Sequence, residues 1–512
     1  MPSTAPLPLP YALLFAIAGG FLLDAAFPDR AVWILAFPAI ALLLLSLRGR
    51  RVGGAAIVGA AGGSAFYFMH IEWASLFLGP LPMAALAGLQ SLLFALGAIA
   101  ISLAYRWFSP GTRASALVSV IVGGIWLLRE TVAGTWPYGG FAWGRLGVSQ
   151  VDGPISQMLS WVGIPGLGFL MVTLVALTIE AVIVQRARWR RIFVASLLAT
   201  LMVALPTWPT SPSGTLRIAA IQGAGPAGYF DEREAGALLD AQVRASNSVY
   251  GEELDLVIWP EGSTDRDPLT DANTADALTE VAREAGAPLI AWGVTERDEQ
   301  TFNSALLWTQ AGTVDDIYDK RHPVPFGEYV PDRAFWRPFA PSLIDLIQRE
   351  YSPGTTDPIF SVSGVPIGVT ICFDIVDDAL LSEAAGLGAE LIVASSNNAD
   401  FGRTDEAEQQ LAIARARAIE LSRTVINVST VGVTAAISPD GRVFDRLTPF
   451  VAGELIADVS LRTGQTPAAM FGQPIAWVLS LLSLLALTLG AVSRLRAPYS
   501  LKTHPTPERN NE

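Results

Sequence analysis

The chain has 512 residues, a formal net charge of −13 and 51% hydrophobic residues, with a mean hydropathy of +0.41. That apolar content excludes a purely soluble protein, and the acidic balance excludes a chain made only of membrane spans. Two unlike parts are expected.

In chain order, apolar runs long enough to cross about 30 Å of hydrocarbon occur at about 10–27, 31–47, 52–71, 82–105, 115–133, 164–185 and 192–207, with an eighth at about 474–493. The third is diluted by Gly and Ala, and the seventh is short. The first lacks a basic leading region and a small-residue cleavage site, so it reads as a retained span. Arginines set the orientation. Arg48, Arg50 and Arg51 follow the second run, Arg106 and Arg113 the fourth, Arg186, Arg188, Arg190 and Arg191 the sixth, and Arg494 and Arg496 the eighth. Basic loops stay cytoplasmic, so both termini are expected inside and the stretch between the seventh and eighth runs outside. The loops expected outside are only poorer in basic residues, since they hold Arg30, Arg129 and Arg145. The expected division is a seven-helix membrane domain (1–207), a linker (208–215), an extracytoplasmic domain (216–463), a linker (464–473), a transmembrane helix (474–493) and a polar cytoplasmic tail (494–512).

Both linkers are rich in Pro, Gly, Ser and Thr. Between them, LRIAAIQG, LDLVIWPEG, PLIAWGVT, SALLWTQ, VPIGVTICFD, AELIVASSNN, TVINVST and GVTAAISPDG read as strands, by length and bounding turn residues. TADALTEVAREAG and DEAEQQLAIARARAIELSR read as helices. Strands that are apolar throughout, alternating with helices, indicate a covered sheet in an α/β or α+β domain.

Three strand ends carry groups that could react. LVIWPEG delivers Glu261, VTICFD delivers Cys372 with Asp374 beside it, and YDK delivers Lys320. Lys320 is conspicuous because only it and Lys502 are lysines among 34 basic residues. Lys502 sits in the polar tail. Loops at strand ends are where scaffolds put reactive groups, and these three side chains together meet the needs of acyl transfer. A cysteine thiolate attacks a carbonyl carbon and leaves again from a thioester. Glu261 would take and return its proton. Lys320 would hold the oxyanion together with the backbone N–H of Phe373, a task for a compact ammonium that a planar guanidinium fits poorly. Taken singly, each has a bland reading as a surface charge or a small buried hydrophobe.

The order Glu, Lys, Cys in WPEGS, YDKRHPVPFGEYVP and GVTICFD resembles the nitrilase superfamily, and specifically its membrane-integrated apolipoprotein N-acyltransferase family. The resemblance extends to WPYGGFAWGRLGVSQVDGPISQ, SSNNADFG, QQLAIARARAIELSR and GVTAAISPDG, and so covers nearly the whole chain. It implies a polytopic helical membrane domain of about eight spans carrying a nitrilase-like αββα sandwich, in a bacterial plasma membrane. It also implies a ping-pong reaction without metal or organic cofactor. An acyl chain passes from a membrane phospholipid to the cysteine, then to the α-amino group of a diacylglyceryl-modified N-terminal cysteine on a lipoprotein. Glu261, Lys320 and Cys372 match the family's triad. Glu328 matches a second glutamate supporting the lysine, with Asp374 and Asn397 as further supporting residues, while His322 and Pro323 shape the loop. Phe335, Trp336 and Phe339 would form an aromatic lid that admits lipid tails. The chain departs from the pattern in having Phe373 where tyrosine is common, Asp374 for glutamate and Asp400 for an aromatic residue.

Two rivals stand beside it: a membrane-tethered nitrilase-type amidase using the same triad, and a non-catalytic scaffold for a polyprenol-phosphate sugar transferase; the expected partners include a polyprenol-phosphate mannose synthase. A monomer is expected. Nucleic acid is not an expected partner, because the acidic domain lacks a basic stripe. Three histidines and one cysteine, none at ligand spacing, give no metal signature.

Overall fold

The computed structural model describes residues 6–108, 117–185 and 187–496. Arg113, Arg186 and Lys502, together with the tail beyond Arg496, lie outside the described residues. Every apolar run is helical. The helices are α1 (Leu9–Asp24), α2 (Ala36–Leu47), α3 (Val52–His70), the single turn α4 (Ser75–Leu78), α5 (Pro80–Trp107), α6 (Val118–Ala133), α7 (Leu159–Ile183) and α8 (Arg188–Ala204). By length and composition, four described helices could cross a membrane: Val52–His70, Pro80–Trp107, Ser156–Ile183 and Pro467–Arg494.

The second domain opens with β1 (Ser211–Gln222), α9 (Ala237–Ser246), β2 (Leu256–Ile258), α10 (Ala272–Glu284), β3 (Leu289–Arg297), β4 (Gln300–Trp308) and β5 (Val314–Asp319). Two single turns, α11 (Arg333–Trp336) and α12 (Pro341–Ile344), precede β6 (Ile359–Val362), β7 (Val365–Ile371), α13 (Asp378–Gly386), β8 (Leu391–Ser396) and α14 (Glu406–Leu421). The chain then forms β9 (Thr424–Ser429), β10 (Ala435–Ile437), β11 (Val443–Arg446), β12 (Gly453–Thr463) and the long α15 (Pro467–Arg496). The strands make two six-stranded sheets, ordered β12-β1-β2-β3-β4-β5 and β11-β10-β9-β8-β7-β6. Within them β1, β2 and β3 run parallel, as do β7, β8 and β9, and the outer pairings are antiparallel.

Alternation along the strands explains the layers. Ile218, Ile258 and Trp292 of one sheet meet Val369, Val393 and Ile426 of the other in the inter-sheet core. The intervening residues Ala219, Val257 and Leu289 face α10 through Leu278 and Val281. The outer face of the second sheet is covered by α13 and α14, whose Leu380, Ile413 and Ile419 share one apolar cluster with Leu146, Ile164 and Leu167 of the helical bundle. The αββα sandwich therefore uses one helical layer jointly with the bundle.

Buried charge pins that junction. Arg417 donates to the carbonyls of Ile375 and Val376 at 2.9 and 2.8 Å and to Asp378 at 2.7 Å, and pairs with Glu420. Arg145 spans both oxygens of Asp378 at 2.8 and 2.7 Å. Burial would raise the Asp378 pKa, but the two guanidinium groups outweigh it and hold it at about 2. Glu420 also accepts the Ile164 N–H at 3.2 Å, just beyond Gly163, whose φ of 71° breaks α7. A Cβ at Gly163 would meet Glu420 Oε1 at 2.6 Å.

Both expected linkers are more ordered than their composition suggests. Ser211 through Thr215 already belong to β1, paired with β12 from Thr463 to Ser460. The C-terminal helix begins at Pro467 rather than at 474. Thr466 accepts the Ala469 N–H at 3.1 Å, so the Thr-Pro pair is a helix start, with proline where its missing N–H is harmless.

Small residues bring α6 close to its neighbours. A Cβ at Gly124 would lie 1.9 Å from Ser483 Oγ on α15, whereas one at Gly88 meets nothing within 4 Å. Gly124→Ala is expected to cost about 1–3 kcal/mol through overpacking and to lower the Tm in detergent. Gly88→Ala is expected to leave the Tm unchanged or raise it.

Candidate active site

Glu261 emerges two residues beyond the Trp259 that ends the apolar run of β2. Its Oε1 accepts from Asn303 Nδ2 at 2.7 Å and its Oε2 from the Asn397 N–H at 2.8 Å. Asn397 is itself fixed by Ala227 O at 2.8 Å and by the Thr430 hydroxyl at 2.7 Å. Lys320 directly follows β5, with its N–H on Asn303 O at 2.9 Å, and its side chain is only 1% exposed. Glu328 sits 2.8 Å from Lys320 Nζ through Oε2, which also accepts the Val324 N–H at 2.6 Å. Its Oε1 accepts from Asn303 Nδ2 at 2.8 Å. One amide of Asn303 thus bridges the two carboxylates. The sequence gives Asn303 no distinguishing signal: it is one of two amides in β4 and sits between Phe302 and Ser304, just before the apolar run.

Cys372 directly follows β7, with a φ of 52°, and is half-buried. The left-handed backbone turns the chain sharply out of the strand, a strained conformation typical of reactive positions. Its carbonyl accepts from Gln410 Nε2 at 3.4 Å, and Gln410 is held by Asn398. Asn398 also donates to Glu406 at 2.8 Å, a carboxyl that burial pushes up to about 8.

The electrostatics are mutual. Burial would lower the Lys320 pKa, but Glu328, Cys372 and Glu261 together hold it above the ordinary value. The surrounding carboxyl groups therefore favour the ammonium form. Besides its ion pair with Glu328, Nζ has no aligned acceptor among the described residues, so donors remain for a developing oxyanion. Burial pushes the Cys372 thiol well up, and the Glu261 charge adds to this while Lys320 opposes it. Burial likewise raises Glu261, against Lys320 and with Glu328. A thiol and a carboxylate both shifted upward suit proton transfer as attack occurs rather than a standing thiolate.

Asp374 Oδ2 accepts from the Tyr318 hydroxyl at 2.9 Å and the Ile371 N–H at 3.2 Å, and burial brings it to about 6. The Phe373 ring lies nearly parallel to Trp143, at 6° and 6.2 Å, and to Phe141, at 12° and 5.9 Å. Trp143 Nε1 is anchored on Gln409 at 2.6 Å, and Trp73 Nε1 reaches the same oxygen at 3.1 Å. Phenylalanine at 373 thus serves a stack that needs no hydroxyl. Asp400, the other departure, accepts the Tyr229 N–H at 2.7 Å.

The expected lid residues form a separate aromatic group. Phe335 and Phe339 are 58% and 72% exposed and lie 5.4 Å apart. Trp336 packs on Phe326 at 5.8 Å, and its Nε1 lies 3.3 Å from the Tyr138 hydroxyl, which in turn bonds Asp332 at 2.8 Å. A cavity of about 350 Å3 runs between this region, the cysteine turn and the bundle, lined by Tyr138, Pro165, Pro323, Phe373, Ala476 and Trp477 among others.

The model of the apolipoprotein N-acyltransferase N-terminal domain matches residues 19–177, and that of carbon-nitrogen hydrolases matches 217–468. An apolipoprotein N-acyltransferase of Mycolicibacterium smegmatis is 31% identical, over 95% of this chain and 86% of that protein. One of Photobacterium profundum is 26% identical over 94% of each. An amidase from Nesterenkonia sp. has a solved structure similar to 49% of this chain and 93% of its own, at 20% identity and a TM-score of 0.38. With two fused domains matched in order and likeness running nearly end to end, the chain belongs to the apolipoprotein N-acyltransferase family.

Proposed function

We propose that this protein transfers an acyl chain from a membrane phospholipid, through a thioester on Cys372, to the α-amino group of a diacylglyceryl-modified N-terminal cysteine. What supports this reading is that Cys372, Glu261 and Lys320 interact electrostatically beside a cavity that Phe373 and Asp374 line together with residues of the apolar bundle such as Pro165, Ala476 and Trp477. A hydrolase acting on soluble amides gains nothing from that wall, and a scaffold needs no buried ammonium.

In the first half-reaction Cys372 Sγ attacks the ester carbonyl carbon while its proton passes to Glu261. The oxyanion forms against Lys320 Nζ and the Phe373 N–H. Collapse breaks the ester C–O bond, and the departing lysophospholipid oxygen takes the proton back from Glu261. In the second, the acceptor amine attacks the thioester carbonyl and gives a proton to Glu261. Collapse then breaks the C–S bond, and the proton returns to sulfur. Glu328 and Asn303 keep the ammonium in place throughout, and Phe335, Trp336 and Phe339 form the lid.

For topology we infer eight spans, with both termini cytoplasmic and the catalytic domain outside. Arg48 at the end of α2 bonds Glu180 near the end of α7 at 2.8 Å, and Arg494 bonds the Arg106 carbonyl at 2.6 Å. These contacts gather arginine-bearing helix ends on one side. The catalytic domain meets the opposite ends, as in the Trp73 contact to Gln409.

Mass spectrometry of protein in phospholipid micelles with a diacylglyceryl-cysteine peptide tests the reaction. Wild type is expected to add one acyl chain to the peptide amine, and Cys372→Ala to add none. Fatty acid release without peptide acylation would indicate the amidase-like alternative, and no lipid turnover the scaffold. Lys320→Arg keeps the charge but not the compact donor, and kcat is expected to fall about 10²–10³-fold, the usual worth of an oxyanion donor. Asn303→Leu removes a hydrogen bond that lowers the Glu261 pKa. The base works deprotonated, so activity rises with pH through that pKa, and the acid limb of kcat/KM should move to higher pH in the variant. An unmoved limb would contradict Glu261 as the base.

A further inference from the structure

The cysteine turn rests on a buried polar chain that the acyl-transfer steps do not use. Glu406 opens α14 and is 3% exposed, and Asn398 and Gln410 beside it are 2% and 3% exposed. Asn398 Nδ2 donates to Glu406 Oε2 at 2.8 Å and to Gln410 Oε1 at 2.7 Å. Its Oδ1 accepts from the Ser396 and Ser429 hydroxyls at 3.0 and 2.5 Å, which keeps the amide from turning. Gln410 donates onward to the Cys372 carbonyl at 3.4 Å. The residue before Asn398 gives its N–H to Glu261 at 2.8 Å. The turn after β8 thus reaches the base on one side and the nucleophile's backbone on the other, with Glu406 as its anchor in α14.

Glu406 differs from the other carboxyl groups around the site in having no cation. Glu328 pairs with Lys320, Asp377 with His322, and Asp378 with Arg145 and Arg417. The charged and titratable groups that face Glu406 are Glu261 beyond β2 and Cys372 beyond β7. Its neighbours in sequence turn elsewhere: Glu408 pairs with Arg446, Asp405 faces Asp24, Asp29 and Arg30 of the bundle, and Arg403 lies over the Phe450 ring at 4.2 Å. A buried carboxylate without a cation is costly. Burial and the Glu261 charge therefore push Glu406 up to about 8, against the Asn398 hydrogen bond. Cys372 already faces Glu261 and Glu328 against one Lys320, and charge on Glu406 raises the thiol further.

We propose that Glu406 is a positioning residue that serves the reaction only while protonated, and that its ionisation sets the alkaline limit of Cys372 acylation. The proposal rests on the acyl-transfer reading and deepens it. Protonated Glu406 holds Asn398 and Gln410 under the cysteine turn without adding charge. Loss of that proton places a further carboxylate near the sulfur and opposes the negative charge that develops there during attack. A carboxyl held up by burial is neutral below its pKa, so acylation is retained at neutral pH and falls as pH rises through that value. Glu261 works in the opposite sense, since its ionisation turns the base on.

The test follows acyl-enzyme formation by intact mass, with the full chain in micelles from about pH 6 to about pH 10. Phosphatidylglycerol and phosphatidylcholine serve as donors because neither carries a group that titrates in that range. Each profile is scaled to its own value at neutral pH. The wild-type acylation rate is expected to fall about tenfold per pH unit above the limb. Glu406→Gln keeps an oxygen for Asn398 and removes the titrating proton, so the fall should vanish. Should that variant not fold, Asn398→Ala takes away a hydrogen bond that lowers the Glu406 pKa, and the limb should move to higher pH. A purely structural role would slow acylation by one factor at every pH and leave the wild-type shape. That result, or a wild-type profile with no alkaline limb, overturns the role of Glu406 while leaving the acyl-transfer reading intact. Failure of wild type to form an acyl-enzyme from either lipid or from phosphatidylethanolamine overturns both.

Discussion

One buried ammonium organises the site. Lys320 lies almost wholly out of water, where a lone charge would shed its proton. Glu328 offsets that cost by direct ion pairing, and the nearby Glu261 carboxyl adds to it. The carboxylates then repel each other, and Asn303 answers this by donating to both. Removing any member leaves the others with an uncompensated charge, which makes the set interdependent and fixes its geometry before substrate arrives. The same arrangement explains why a chain that otherwise favours arginine has a lysine here. Its donors must point into a small volume shared with a thiol.

The second constraint is the shared helical layer. In a free-standing αββα sandwich, α13 and α14 would present a solvent face. Here that face continues into the bundle's apolar core, and the charges that remain there are paired. Arg417 is essentially inaccessible and clamps the two residues that close the cysteine turn. Breaking such a buried pair costs about 3–5 kcal/mol, so the turn carrying Cys372 is tied to the helices next to it.

Much of this was legible in the chain itself. The eight apolar runs are all helices, and the eight strands read from their apolar character are all present. The strands that escaped are β5, β6, β11 and β12. Each has a partner on one side only, and polar residues such as Asp315, Asp316 and Asp445 are tolerated there because water covers the open side. The linkers differ from the expectation for a related reason. Ser211 to Thr215 and Thr466-Pro467 look like turn material, but strand pairing and a helix cap give the same residues ordered roles. Glu261, Lys320 and Cys372 could be picked out because charged or reactive side chains at the ends of apolar strands are conspicuous, whereas Glu328 came only through the resemblance. Asn303 and Gln410 could not, since a single amide carries no chemistry until its neighbours are known.

The sequence by itself determined the division into an apolar helical part and an α/β part, and the residue types available for acyl transfer, because hydrophobic periodicity and chemical identity are local properties. Only the tertiary structure decided which groups are satisfied. The double use of Asn303, the free donors of Lys320, the parallel stack of Phe373 on Trp143 and the path from Glu406 through Asn398 and Gln410 to Cys372 each join residues far apart in the chain. Whether a buried polar group has a partner depends on distances that no local pattern encodes.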